Sequence, residues 1–313
     1  MKSINVSAPA KVNLHLNILG RRQDGYHEIE TIFQTLTLFD KLNIRHADAK
    51  ETAISIAVKA HSLKGYSDTR LPTDSRNIVW KATELLLQRA QIHRSVRITL
   101  HKNIPIQAGL GGGSSDAAAL IKGLTASLKL PRLPNKDMAH KLGADVPFFL
   151  EGGCALATGI GEKIRAILPR PQFWAVVVKP EVNLPTPEVY RWYDRFHESS
   201  PRQSMKKNYS LSRSQKPLTT GPNIIKMRRF LIAGKSVRHW GPFVYNAFEE
   251  VVFSKVPELR QIKLRLLEEG AIVSSLSGSG SALFGIVNSK SDGERIKQKL
   301  SRSQLKIWVA HSN

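Results

Sequence analysis

An α+β fold in two domains is predicted by two observations. Strand and helix patterns come in blocks rather than in a strict β-α-β rhythm, and 313 residues are enough for two cores of ordinary size. The buried strand pattern QFWAVVVKP marks where a second domain begins, which divides the chain into 1–165 and 166–313.

Taken in order, Val12, Leu14, Leu16 and Ile18 alternate with Lys11, Asn13, His15 and Asn17. Period two over eight residues predicts a strand with one buried face and a polar, exposed one. GRRQDG (Gly20–Gly25) is turn chemistry. YHEIETIFQTLTLFD reads as a second strand, with DKLNIRHA and TAISIAVKA as further ones. Asn77–Gln91 is helical by its apolar spacing, with Asp74 or Ser75 as its cap. SVRITLHKNIP alternates again and stops at Pro105, and helices follow at Ser115–Leu128 and around Asn135–Leu142. GADVPFFLEGGCALATGIGE reads as short strands and turns. NAFEEVVFSKVPELRQIKLRLLEEG reads as one helical block ending at Gly270. IVSSLSGSGSALFGIV is strand, Gly/Ser turn, strand, followed by a last helix (SDGERIKQKLS) and a last strand (LKIWVAH).

No apolar run approaches the eighteen or so residues of a membrane span. The first residues, MKSINVSAPAKVNLHL, are already patterned as structure, so no signal peptide is expected. One cysteine, Cys154, excludes an internal disulfide framework and cannot alone make a zinc site. A soluble, cytoplasmic protein is the expectation, with no membrane partner; nothing in the sequence sets an oligomeric state. The net charge of +22 is unevenly spread: Arg195–Trp240 holds eleven Lys and Arg against one acid, Glu198. Ser, Pro and Gln in that stretch favour a solvated insertion. A polyanion-binding face is the second reading. Without an aromatic-and-basic recognition motif, nucleic acid is not the expected partner.

The densest signal is PIQAGLGGGSSDAAA, from Pro105 onward, with Gly109, Gly111, Gly112 and Gly113 ahead of Ser114 and Ser115. A Walker A loop needs a lysine directly after its last glycine, and the next lysine here is Lys122. A dinucleotide fingerprint needs a third glycine where Ser114 stands, and a βαβ unit around it. Four glycines in five positions exceed an ordinary turn. Unobstructed backbone amides at a helix start suit phosphate; close packing of a helix on a strand is the competing reading.

That segment resembles the phosphate loop of the GHMP kinases. APAKVNLHL near the start, DGYHEIET after the first turn and LGADVPFFL (Leu142–Leu150) are similar to signatures of the branch whose substrate is a diphosphocytidyl-linked alcohol. PTPEVY (Pro185–Tyr190), NAFE (Asn246–Glu249) and SLSGSGSALFG (Ser275–Gly285) continue the match; it weakens across Arg195–Trp240. The resemblance implies an N-terminal domain like domain 2 of ribosomal protein S5, a ferredoxin-like C-terminal domain, and an active site in the cleft between them. It also implies ATP, with Mg²⁺, as co-substrate and a small-molecule alcohol as acceptor.

By the same resemblance Asp145 is the catalytic base and Lys11 the catalytic lysine. Asn13, Tyr26, His27 and Tyr190 then contact the acceptor, the tyrosines flanking a cytosine ring. The nucleotide falls to Asn77, Lys102, Pro105, Gly109, Leu110, Gly111, Gly112, Gly113, Ser114 and Ser115. The residues alone leave plainer roles open: a turn cap for Asp145, an exposed lysine for Lys11 and Lys102, a helix cap for Asn77, hairpin packing for Tyr26 and a surface position for His27. No dedicated metal-ligating set is visible. Another GHMP kinase, or a basic nucleic-acid binder with an S5-like fold, are the alternatives.

Overall fold

Two long antiparallel strands organise the first half of the chain. β1 (Lys2–Arg21) and β2 (His27–Asp48) pair along their length in the computed structural model, which describes residues 1–60, 71–130, 136–198, 223–301 and 305–313. Register shifts at Pro9/Ala10, Asn13/His15 and Ile18/Gly20 mark bulges that bend the ribbon. The bend lets β2 serve two neighbours. On one side β3 (Ala53–Lys59) lies parallel to β4 (Arg94–His101), and β4 pairs with Lys41–Asp48 of β2. On the other, β5 (Cys154–Gly159) pairs with Ile29–Gln34 and carries β6 (Lys163–Ala166). Helices α1 (Ile78–Ala90) and α2 (Gly112–Leu128) bury Val79, Leu86, Ala117, Leu120 and Leu124 against Leu42, Ile44 and Ile98 of the sheet. The short helices α3 (Lys136–Leu142) and α4 (Val146–Glu151) close that end.

The second half runs β7 (Trp174–Lys179), α5 (Thr186–Glu198), α6 (Ile224–Ile232), α7 (Val237–Trp240), β8 (Tyr245–Asn246), α8 (Glu249–Lys255), α9 (Pro257–Glu268), β9 (Val273–Leu276), β10 (Leu283–Val287), α10 (Lys290–Leu300) and β11 (Lys306–His311). Its antiparallel sheet has the order β11-β7-β10-β9, a ferredoxin-like arrangement. β8 belongs to the first sheet instead, pairing in parallel with β1, His15 opposite Tyr245. One apolar cluster joins Val12, Leu14, Ile32 and Leu36 of the first half to Phe173, Val177, Phe284 and Ile286 of the second. The two halves therefore share a core, and the α+β, two-domain expectation holds.

Several local expectations change. Strand β2 runs straight through the predicted break at Asp40. The Asp40 carboxylate accepts from the amides of Asn103 and Ile104, so it braces a neighbouring connection and does not divide two strands. The cap of α1 is Asn77, which accepts from the Val79 amide, whereas Asp74 bonds Arg76. GADVPFFL contains helix α4, not strand. Its uniformly apolar run is silent on period, but Pro147 in the first turn and Gly152 at the end are helix punctuation. The long helical block splits at Val256, because Pro257 cannot continue α8. Residues 199–222 of the basic stretch lie outside the described residues. Its remainder is no solvated loop: Ile224, Met227, Leu231 and Trp240 are buried in the shared core. Among the described residues no helix is long and apolar enough to cross a membrane.

Candidate active site

β1 was expected to expose its polar face, and it does not. Lys11, Asn13, His15 and Asn17 are all buried, because that face forms the floor of the cleft and the seat of the second half. The cleft measures about 940 Å³ and is lined from both halves.

Lys11 is part of its lining. Its ammonium donates to Asn13 Oδ1 at 2.6 Å, lies 5.1 Å above the Phe33 ring and is 3.8 Å from Asp145 Oδ2. Asn13 donates in turn to Thr31 Oγ1, which donates to the His15 carbonyl, so the amide cannot rotate freely. Burial pushes the Lys11 ammonium below the ordinary lysine value, and the Asp145 charge pulls it partway back. Asp145 stands at the N-terminus of α4 without using its side chain as a cap, and its carboxylate remains partly open to the cleft. A buried cation and a partly open carboxylate thus face the same cleft side by side.

The glycine loop delivers the first turn of α2 to the same cleft. The helix begins at Gly112, earlier than predicted, with Gly111 as a left-handed cap at φ 69°. A Cβ on Gly111 would lie 2.7 Å from the Phe149 ring and 3.1 Å from Lys11 Cγ. On Gly109 it would lie 1.9 Å from the Ser277 carbonyl oxygen. These glycines are thus set by close approach as well as by conformation. The first amides of α2 have no carbonyl partner within the helix and lie where Gly112, Gly113 and Ser114 line the cleft. Leu110 contributes backbone only: its side chain is in the core and its carbonyl accepts from the Lys11 amide.

The Gly/Ser turn after β9 closes on this loop from the second half, with Ser277 Oγ donating to the Gly109 carbonyl at 3.0 Å. Asn246 pins that turn, donating to the Leu276 and Gly278 carbonyls at 2.8 Å each and accepting from the Phe248 amide. Gly278 lies so close that its Cβ would be 3.3 Å from Lys11 Nζ.

The other nucleotide candidates divide. Lys102 lines the cleft beside Gly112, buried between Asp40 and Asp116 Oδ2. Burial works against its charge, but the two carboxylates outweigh that and raise it. Burial raises Asp116 as well, and its Oδ1 has no hydrogen-bond partner among the described residues. Pro105 and Asn77 line the cleft, although the Asn77 amide is committed to capping α1 and to the Pro72 carbonyl. Ser115 does not line this cleft: it borders a smaller cavity behind α2, and its buried hydroxyl has no hydrogen-bond partner among the described residues. Among the described residues no three carboxylate, His or Cys side chains cluster as a metal cage.

At the far end, His27 is buried at the start of β2, not on the surface. Its ring lies 4.7 Å from the Tyr190 ring, while Tyr26 is exposed at the rim. His27 Nε2 is 2.7 Å from Asp194 Oδ1. Sequence reasoning missed Asp194, Thr31, Phe33 and Asp116. Asp194 had a signal, since it stands one helical turn beyond Tyr190.

A two-sheet fold holding a glycine-rich helix start, a buried lysine and a facing aspartate defines a GHMP-type small-molecule kinase. Sequence profiles agree: the GHMP kinases N terminal domain matches residues 77–153 and the GHMP kinases C terminal matches 230–307. The 4-diphosphocytidyl-2-C-methyl-D-erythritol kinase of Alkaliphilus metalliredigens is 34% identical, over 96% of this chain and 94% of the relative. Its counterpart in Listeria monocytogenes is 36% identical, over 94% of this chain and 90% of the relative. A crystal structure of 4-(cytidine 5'-diphospho)-2C-methyl-D-erythritol kinase superposes with a TM-score of 0.74 at 31% identity, covering 99% of both chains. The chain belongs to the 4-diphosphocytidyl-2-C-methyl-D-erythritol kinase family, a branch of the GHMP kinases.

Proposed function

We propose that this chain transfers the γ-phosphoryl group of ATP to a hydroxyl of 4-diphosphocytidyl-2-C-methyl-D-erythritol. The acceptor is the hydroxyl at the 2-position, and the product serves isoprenoid precursor synthesis by the non-mevalonate, methylerythritol phosphate route. The observation that carries the reading is the Lys11–Asp145 pair, 3.8 Å apart, set between the glycine loop and the His27–Tyr190 pair in one cleft.

Little covalent work falls to the protein in phosphoryl transfer; position and charge do most of it. Asp145 accepts the proton of the acceptor hydroxyl as that oxygen attacks the γ-phosphorus. Lys11, held by Asn13, stabilises the negative charge that develops on the attacking oxygen and on the transferred group. The amides at the start of α2 hold the ATP phosphates, with Lys102, Asn77 and Pro105 near the nucleotide. Tyr26 and Tyr190 flank the cytosine, and His27 hydrogen-bonds it. No cage of carboxylate, His or Cys side chains is present among the described residues; Mg²⁺ would come with the nucleotide and keep several waters. We place the division between domains at 165/166 and the protein in the cytoplasm.

Phosphorus NMR of the protein incubated with ATP and the diphosphocytidyl alcohol tests the reading. A new phosphomonoester resonance on the alcohol, with stoichiometric ADP, is expected. ADP and free phosphate without that resonance would overturn it.

A further inference from the structure

One face of α5 carries Thr186, Tyr190 and Asp194, each a helical turn from the next. All three line the cleft and each meets something across it. Thr186 Oγ1 bonds Ser279 Oγ at 2.9 Å, Tyr190 packs on the His27 ring, and Asp194 bonds the His27 ring nitrogen. The His27–Asp194 bond therefore joins the start of β2 to α5, across 167 positions of sequence. It is also sheltered, with the histidine side chain 8% and the aspartate 22% exposed. The Arg21 guanidinium stands 3.9 Å from the other carboxylate oxygen.

The chemistry of the bond has a consequence at the opposite side of the ring. A carboxylate only accepts, so Nε2 carries the proton. In the neutral ring Nδ1 is then bare, and an acceptor only. Nδ1 has no hydrogen-bond partner among the described residues. We propose that Asp194 is a positioning residue that locks His27 in one orientation with Nε2 protonated, so that Nδ1 meets an exocyclic amine and disfavours a carbonyl. This rests on the functional reading above, in which His27 contacts the base. It makes the pair a device for preferring a cytosine over a uracil, since the two differ by an amine against a carbonyl at one ring position. Leaving a ring acceptor opposite a carbonyl oxygen wastes both groups, which is how polar sites reject near-isosteres.

The test uses the full-length protein and the variants Asp194→Ala and Asp194→Asn, with two readouts. The first is the ¹⁵N NMR signature of the His27 ring without substrate. Wild type is expected to show protonated Nε2 and bare Nδ1. Asp194→Ala is expected to lose that pattern to exchange between tautomers, and Asp194→Asn, whose side-chain oxygen still accepts, to keep it. The second is steady-state kinetics with the diphosphocytidyl alcohol and its diphosphouridyl analogue. Asp194→Ala should raise KM for the cytidyl substrate by about tenfold or more, with kcat and the ATP KM within about twofold, and should narrow the preference over the uridyl analogue. Asp194→Asn should recover most of the loss. A protonated Nδ1 in wild type would overturn the proposal. So would a signature unchanged in Asp194→Ala, or a fall in kcat and a rise in the ATP KM as large as the rise in the cytidyl KM. Should wild type phosphorylate neither alcohol, the functional reading fails and the ring signature alone decides the positioning claim.

Discussion

At Lys11 the fold withholds water from a charge it needs. Burial lowers the ammonium's affinity for its proton, and Asp145 only partly compensates. As pH rises, Lys11 therefore deprotonates before an ordinary lysine does. The alkaline limb of kcat should lie below the ordinary lysine range, and Lys11→Arg should move it upward at a lower plateau; a limb unmoved in that variant would assign it elsewhere. Stability should run the other way. The folded chain sheds this proton before the unfolded chain does, so the Lys11 contribution to stability grows with pH over that interval. Asp145→Asn keeps the shape and removes the base, and should lower kcat by about 10²- to 10⁴-fold while leaving ATP affinity nearly intact. Equal losses in both would indicate a structural role.

Among the elements, the start of α2 is the most constrained. Gly109→Ala would drive a methyl into the Ser277 carbonyl, at a residue with φ 72°, so ATP KM should rise by about tenfold or more. Gly113 has only Ile78 nearby, 3.6 Å from a Cβ, and helical backbone. Gly113→Ala should stabilise the fold by about 0.5–1 kcal/mol in a denaturant titration. The reverse order of effects would contradict the close-approach account. The glycine loop, the α+β class and the Lys11–Asp145 combination were legible because each rests on local pattern or on a motif. What was not legible depends on what comes from elsewhere. The polar face of β1 reads as exposed until the second half covers it, and Asp40 reads as the end of one strand and the start of the next until the amides of Asn103 and Ile104 meet it. Asp194 acquires meaning only when α5 is laid against the start of β2.

For the molecule as a whole, the shared apolar core fixes the floor of the cleft, and β8 fastens the second half to β1. The Asn246 side chain ties β8 to the Gly/Ser turn after β9, within the second half. Asn246→Ala leaves two carbonyls and an amide unpaired and should cost about 2–4 kcal/mol of stability by chemical denaturation. A loss within error of zero would remove Asn246 from the account. The net charge of +22 suits two polyanionic substrates. With electrostatic steering, kcat/KM should fall as salt rises while kcat stays level; a salt-independent kcat/KM would assign the charge no part in encounter. The central claim is that one cleft joins an ATP site to a site for a diphosphocytidyl alcohol. Its most direct test is ADP release with 4-diphosphocytidyl-2-C-methyl-D-erythritol, homoserine, mevalonate and galactose offered separately to the purified protein. Turnover with the diphosphocytidyl alcohol alone, abolished by Asp145→Asn, is the predicted result, and turnover with one of the other three alone would contradict it.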